Sequence, residues 1–188
     1  MNFRNCRFVI SATTPKDRPK DNLPAVMMVG RSNVGKSALI NSLLGQRIAF
    51  SSKKAGKTKL LNYFLVDNSF YLVDSPGYGS TDYATMSTIQ FSSMMEGYLK
   101  EPSLKGVVLL MDLRREPGKD DLAFVDYLLH SGKPIALVLT KVDQMNQSAK
   151  AKAIKMAEGL GFEKILLSDQ KGPSTEKIRL AIASLSKR

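Results

Sequence analysis

The chain has 188 residues, of which 43% are hydrophobic, and it carries a formal net charge of +11. This length fits one globular domain over residues 1–188, with residues 1–24 as a short N-terminal extension. The hydrophobic runs are shorter than the roughly 20 apolar residues of a membrane span, and the single Cys6 excludes an internal disulfide. We therefore expect a cytoplasmic monomer without a membrane partner. Its charge suits either nucleic acid or an ordinary soluble surface.

Short apolar runs alternate along the chain with segments of helical spacing. We predict a strand at FVISA and further strands at 25–29, 60–66, 70–73, 106–111, 135–139 and 165–167. Helices are expected at 36–44, 85–100, 120–129, 148–158 and 174–185. Residues 49–59 show no apolar periodicity and are interpreted as a mobile loop. The alternation predicts an α/β fold, with a mostly parallel sheet of six to seven strands and helices on both faces.

A glycine-bearing loop joins the buried strand 25–29 to the first helix and fits the pattern G-x-x-x-x-G-K-[ST]. Its glycines allow successive main-chain amides to point at phosphate oxygens, and the helix that follows adds the positive end of its dipole. Lys36 would reach the β- and γ-phosphates, and the Ser37 hydroxyl would bind Mg²⁺. The predicted phosphate-binding residues are Gly30, Arg31, Ser32, Asn33, Val34, Gly35, Lys36, Ser37 and Ala38.

Two further segments are candidates for completing the Mg²⁺ and γ-phosphate site. Asp74 follows the strand 70–73, so its carboxylate would face the phosphate crevice, and the Gly77 amide could approach the γ-phosphate. Thr58 lies in the loop 49–59, where its hydroxyl could join the Mg²⁺ shell when a γ-phosphate is present. A plain solvent-exposed threonine remains the alternative, because Ser51 and Ser52 offer hydroxyls in the same loop.

The sequence Thr140-Lys141-Val142-Asp143 follows the strand 135–139 and favours guanine over adenine. Asp143 can accept hydrogen bonds from the N1–H and the exocyclic amine of guanine, a donor pair that adenine does not present. The stem of Lys141 would lie against the base, and Thr140 would tie this segment to the phosphate-binding loop. Ser168, after the last strand, is a candidate for a second contact with the base.

These motifs together resemble the EngB (YihA/YsxC) family of bacterial GTPases. The resemblance rests on GRSNVGKSALINSL, the GKT of 56–58, DSPGYG and TKVD, together with FVISA and MDLRREPGKDDLAFVDYL, and it spans nearly the whole chain. It implies a Ras-like P-loop GTPase domain that binds GTP, GDP and Mg²⁺, with Gly56 and Asp169 among the nucleotide-binding positions. It also implies a role in assembly of the large ribosomal subunit, with rRNA and ribosomal proteins as partners, and a link to cell division and septation.

The chain departs from the family pattern at two places. Ser80-Thr81-Asp82-Tyr83 follows PGYG where an aromatic or small apolar residue and a lysine are common, and Leu167-Ser168-Asp169 lacks the alanine that many GTPases have in the last base motif. The loop 49–59 also carries four lysines, which either contact RNA phosphates or form a solvated surface. They are Lys53, Lys54, Lys57 and Lys59.

The position after the D-x-x-G glycine suggests how fast hydrolysis would be. A Gln there orients the attacking water in Ras-type enzymes, whereas this chain has Tyr78. We therefore predict slow intrinsic hydrolysis, with the catalytic group unassigned. The resemblance also implies a K⁺ ligand, because in related GTPases without the Gln an Asn at the position of Asn33 helps bind K⁺, which can stand in for an arginine finger. Asn33 could equally only shape the loop. The alternative functions are a P-loop kinase or ATPase, and an RNA-binding protein whose nucleotide site has a structural role.

Overall fold

The computed structural model describes residues 1–49, 60–79, 88–169 and 172–187. Within these ranges, seven strands form one sheet: β1 (Cys6–Ala12), β2 (Ala25–Gly30), β3 (Leu61–Val66), β4 (Phe70–Asp74), β5 (Leu104–Asp112), β6 (Ile135–Thr140) and β7 (Ile165–Ser168). The helices are α1 (Lys36–Leu44), α2 (Thr88–Leu99), α3 (Lys119–Leu129), α4 (Gln147–Gly159) and α5 (Gly172–Leu185). The predicted α/β fold class is confirmed. Residues 50–59 of the predicted loop 49–59, and residues 85–87 of the predicted helix 85–100, lie outside the described residues.

The strands are ordered β1-β3-β4-β2-β5-β6-β7 across the sheet. Strand β2 lies between β4 and β5 and is parallel to both, and β5, β6 and β7 continue the parallel part. Strands β3 and β4 form a hairpin joined by residues 67–69, in which Asp67 and Asn68 have φ of 50° and 49°, the positive values that tight hairpin turns favour. Strand β1 pairs antiparallel with β3. The predicted N-terminal extension therefore contributes an edge strand to the sheet.

The core is divided by the sheet into two apolar layers. In β2, Met27 and Val29 face the layer that includes residues of α2, α3 and α4, whereas Val26 and Met28 face α1 and α5. All four side chains are at most 1% exposed, so this strand is apolar on both faces, as expected for a central parallel strand. The sequence pattern AVMMVG thus explains why helices cover both sides of the sheet.

The helices begin and end at residues suited to those positions. The Asn146 side chain accepts a hydrogen bond of 2.9 Å from the Ala149 amide at the start of α4, and Gly45 follows α1 with a φ of 66°, as helix-ending glycines commonly do. In the part of the chain that the structure describes, no helix combines the length and the apolar character needed to cross a bilayer.

Candidate functional site

The predicted site residues gather at the edge of the sheet where the parallel strands end. Asp74, at the end of β4, pairs in register with Met28 of β2. Thr140, at the end of β6, lies between Asp112 of β5 and Ser168 of β7. In open α/β sheets, ligands bind in the crevice outside this carboxyl edge, so the topology brings the phosphate and base motifs to one place.

The loop between β2 and α1 has the backbone shape of an anion-binding site. Asn33 has a φ of 65° and Gly35 a φ of 99°, a left-handed conformation that glycine adopts without steric cost. The loop is closed by a hydrogen bond of 3.2 Å from the Val34 amide to the Arg31 carbonyl, and Gly35 directly precedes the first turn of α1. Alternating left- and right-handed residues turn successive amides toward one concave side, where the dipole of α1 adds positive potential.

Asp74 and Lys36 form an ion pair in the floor of this crevice. The Lys36 ammonium donates to the Asp74 carboxylate, and the two side chains are only 10% and 7% exposed. The described residues contain no cluster of three His, Cys, Asp or Glu that could hold a metal alone. Mg²⁺ commonly binds through one or two protein oxygens together with phosphates and waters. The Asp74 carboxylate and the Ser37 hydroxyl therefore suit Mg²⁺ at a phosphate site.

The segment after Asp74 is joined to the phosphate-binding loop by main-chain contacts. The Ser32 amide donates to the Tyr78 carbonyl at 2.9 Å, and the Tyr78 amide donates to the Gly30 carbonyl at 3.3 Å. A Cβ atom on Gly77 would lie 2.9 Å from the Cα of Ser32, closer than real Cβ atoms approach a backbone. Glycine is therefore required at position 77 by the loop itself, whatever its contact with a γ-phosphate.

The base motif forms a short turn packed against the phosphate-binding loop. The Thr140 hydroxyl, completely buried, donates to the Val34 carbonyl at 2.9 Å, which is the link predicted between the two motifs. The Lys141 ammonium donates to the Asn33 carbonyl at 3.1 Å. Asp143 lies exposed in the one-turn 3-10 helix Val142–Gln144, where its carboxylate can accept hydrogen bonds from a ligand.

The predicted second base contact lies beside this turn. Ser168 ends β7, is fully buried and pairs in register with Thr140. Asp169 follows it and accepts a hydrogen bond from the Ser174 hydroxyl in the first turn of α5. Both residues are thus at the carboxyl edge of the sheet, one strand away from Asp143.

Comparison with known proteins identifies the family. Residues 25–141 match the family model described as 50S ribosome-binding GTPase. The chain is 43% identical over 150 residues to a protein of Lactobacillus helveticus named probable GTP-binding protein EngB, covering 79% of this chain and 76% of that protein. A protein of the same name from Halothermothrix orenii is 40% identical over 177 residues, covering 93% of this chain and 87% of its own length. The chain belongs to the EngB family.

A solved structure supports the same fold. The crystal structure of a probable GTP-binding protein EngB matches with a TM-score of 0.68 at 20% identity, covering 87% of this chain and 98% of that one. Membership of the EngB family makes this chain a GTP-binding protein and a GTPase, which confirms the resemblance found in the sequence motifs and the prediction of an enzyme that hydrolyses GTP.

In this EngB-family chain, Tyr78 occupies the position of the glutamine in Ras-type enzymes, and its side chain is buried in the core. Tyr78 is 3% exposed, and its ring packs at 5.5 Å from Phe91 and 4.7 Å from Phe124, measured between ring centroids. Burial, together with the charge of Asp121 and a hydrogen bond to it, raises the pKa of Tyr78 well above its ordinary value. A phenol held in this way cannot orient a water for attack on phosphate.

The Arg31 side chain is also directed at α3. Its guanidinium pairs with the Asp121 carboxylate at 3.2 Å, and that carboxylate accepts the Gly118 amide at 3.0 Å at the start of α3. Any contact of Arg31 with phosphate would therefore use its main chain. No local pattern in the sequence indicates this pair, because 90 residues separate its partners.

Sequence reasoning also missed Asp112, the last residue of β5. Its carboxylate lies 3.0 Å from the Lys141 ammonium, and its side chain is only 10% exposed. Its position could have indicated a role, because Asp112 is the last residue of the buried strand β5, just as Asp74 is the last residue of β4. Several other predicted residues lie outside the described part of the chain: Gly56, Thr58, the lysines Lys53, Lys54, Lys57 and Lys59, and 80–83.

Proposed function

We propose that GTP and GDP bind along the carboxyl edge of the sheet, with the phosphates at the loop 30–38 and the base at the turn 140–143. Lys36 contacts the β- and γ-phosphates. The base is bound by the turn that contains Thr140, Lys141 and Asp143. Ser168 and Asp169, at the end of the neighbouring strand, provide further contacts with the base. The observation that carries this proposal is the contact between the two motifs. Lys141 donates to Asn33 and Thr140 donates to Val34, so one nucleotide could span both.

We further propose that Mg²⁺ is held by Ser37, Asp74 and Thr58, with Gly56 close to the phosphates. Bound there, Mg²⁺ would neutralise charge on the phosphate oxygens. The ion pair between Lys36 and Asp74 indicates how the residues would rearrange, because each partner would exchange the other for a ligand of opposite charge. The Asp74 carboxylate would then face Mg²⁺, and the Lys36 ammonium would donate hydrogen bonds to the phosphate oxygens.

Hydrolysis by the isolated chain is proposed to be slow. Tyr78 is packed between two phenylalanines, so the position that carries the glutamine in Ras-type enzymes offers no group to orient the attacking water. Asn33 is exposed at the rim of the loop and is proposed to bind K⁺ there. Single-turnover hydrolysis should then be faster in K⁺ than in Na⁺ for the wild type and equal in both salts for Asn33→Ala. Equal rates for the wild type would contradict the K⁺ site.

The proposed role is that of a conformational switch in assembly of the large ribosomal subunit, in the cytoplasm, with rRNA and ribosomal proteins as partners. The family description and the net charge of +11 support it, since a basic protein is attracted to the phosphate backbone of RNA. Co-sedimentation with ribosomal particles should differ between a non-hydrolysable GTP analogue and GDP. Equal binding in both states would contradict a nucleotide-controlled switch.

Competition between fluorescent GDP and unlabelled nucleotides separates this proposal from the alternatives. We expect GDP and GTP to compete far better than ADP and ATP. A preference for ATP would favour the kinase or ATPase interpretation, and absence of any binding would favour an RNA-binding protein whose nucleotide site is structural.

A further inference from the structure

The turn that carries Asp143 begins with a residue in an unusual backbone conformation. Lys141 has a φ of 60°, which is uncommon for a residue with a Cβ atom and persists only when neighbouring groups hold it. Two groups hold the far end of its side chain, the Asn33 carbonyl at 3.1 Å and the Asp112 carboxylate at 3.0 Å. The base motif therefore depends on a residue from another strand.

Asp112 is the centre of a hydrogen-bonded group at the end of β5. Arg114 grips it with two parallel bonds, from Nε to Oδ1 at 3.0 Å and from Nη2 to Oδ2 at 2.7 Å, and the Arg114 amide adds a third at 3.0 Å. Burial by itself would raise the pKa of Asp112, but the hydrogen bonds from Arg114 and Lys141 outweigh it and hold the pKa well below its ordinary value. The Asp112 carboxylate is thus charged at neutral pH, and its oxygens accept hydrogen bonds from Arg114 and Lys141.

The same arginine reaches the other end of the turn. Arg114 Nη1 donates to Gln144 Oε1 at 2.9 Å, and Gln144 is the last residue of the 3-10 turn. Asp112 therefore supports both flanks of Asp143, directly through Lys141 and, by way of Arg114, through Gln144. Asp143 itself is exposed, so its orientation depends on how firmly these flanks are fixed.

We propose that Asp112 is a positioning residue for base specificity, which acts through Lys141 and Arg114 to hold Asp143 where both of its oxygens meet guanine. The inference rests on the proposed function, in which Asp143 recognises the N1–H and the exocyclic amine. Fixing a turn before the ligand arrives removes the cost of ordering it on binding. This gain in affinity is largest where the Asp143 carboxylate must accept two hydrogen bonds at the same time, from the N1–H and from the exocyclic amine.

Inosine diphosphate provides the probe, since it keeps the N1–H of guanine and lacks the amine. One hydrogen bond to a charged group corresponds to about tenfold to a hundredfold in Kd, so the wild type should prefer GDP over inosine diphosphate by such a factor. In Asp112→Asn, which keeps the size of the side chain and removes its charge, we expect this preference to fall to less than about threefold, with GDP affinity losing more than inosine diphosphate affinity.

Arg114→Ala is the second variant, because a 41%-exposed side chain can be shortened without disturbing the fold. Like Asp112→Asn, it should reduce the preference for GDP over inosine diphosphate. Arg115→Ala is the matched control: it removes the same charge one residue further along, at an exposed position, and should keep the wild-type ratio. All affinities are measured by displacement of fluorescent GDP.

The outcomes separate the two proposals. If the wild type prefers GDP over ADP but both Asp112→Asn and Arg114→Ala keep its ratio of GDP to inosine diphosphate affinity, the positioning role is wrong and the nucleotide site stands. An equal loss of both affinities also overturns it, because a general weakening leaves the ratio unchanged. A wild type without preference for guanine overturns the proposed function and this inference with it.

Discussion

The phosphate-binding loop and the base turn lie side by side, yet they are held in different ways. Residues 30–35 are shaped by their own backbone, through positive φ at Asn33 and Gly35 and main-chain bonds to Tyr78. The turn Val142–Gln144 is held by side chains, from Thr140 below it and from Asp112 and Arg114 beside it. The shape of the loop therefore rests mainly on backbone conformation and main-chain hydrogen bonds, whereas the turn depends on the identity of side chains from other parts of the chain.

The largest effect is expected at Lys36, a charged side chain at the end of the phosphate-binding loop, which pairs with Asp74. Lys36→Met leaves the buried Asp74 carboxylate without its cation, so the free energy of unfolding in urea should fall by about 3 kcal/mol. GTP affinity should fall on the order of 100-fold, since the charged donor to the phosphates is lost. The double variant Lys36→Met/Asp74→Asn should recover most of the stability and none of the affinity. Recovery of both would contradict a role for Lys36 in phosphate binding.

A smaller and more selective effect is expected at Asp143. Asp143→Asn places an amide where the carboxylate would meet two donors, so the preference for GDP over ADP should fall about 100-fold. Stability should stay unchanged because the residue is exposed. Asp120→Asn, at another exposed carboxylate, is the control in the same competition assay. An unaltered purine preference in Asp143→Asn would remove the basis for assigning the base to this turn.

The smallest effect is expected at the link between the two elements. Thr140→Val keeps the branched shape and removes the hydroxyl that binds the Val34 carbonyl, so a buried carbonyl loses its donor. The free energy of unfolding should drop by about 1–2 kcal/mol, with a severalfold loss of GDP affinity. Thr140→Ser keeps the hydroxyl and should retain most of both. If serine and valine behave alike, the hydrogen bond is not what joins loop and turn.

The parts of the fold that sequence could predict are those with local patterns. The consecutive apolar residues of AVMMVG indicated a strand buried on both faces. The glycine-bearing loop was recognisable because phosphate-binding loops need glycine and a following helix at fixed spacing. The pairing of β1 with β3 was not predicted, since apolar runs do not specify which strand they will pair with.

The supporting residues of the site were the hardest to predict. Asp112 and Asp121 are acidic residues of ordinary appearance, and their importance comes from Lys141 and Arg31, which are distant in sequence. The burial of Tyr78 is similar, because it depends on Phe91 and Phe124 from two helices. Its unsuitability as a catalyst could be inferred from its chemistry, but the cluster that holds it could not.

The position of β1 at the edge of the sheet has a consequence for how the chain folds during synthesis. Residue 6 pairs with residue 66, and residue 12 with residue 61, so β1 has no strand partner until β3 has been synthesised about 50 residues later. Its side chains Phe8, Val9 and Ile10 are between 38% and 50% exposed even in the finished sheet. Until β3 has been synthesised, β1 is therefore an unpaired apolar strand, the kind of segment that chaperones bind and that can aggregate when folding is slow.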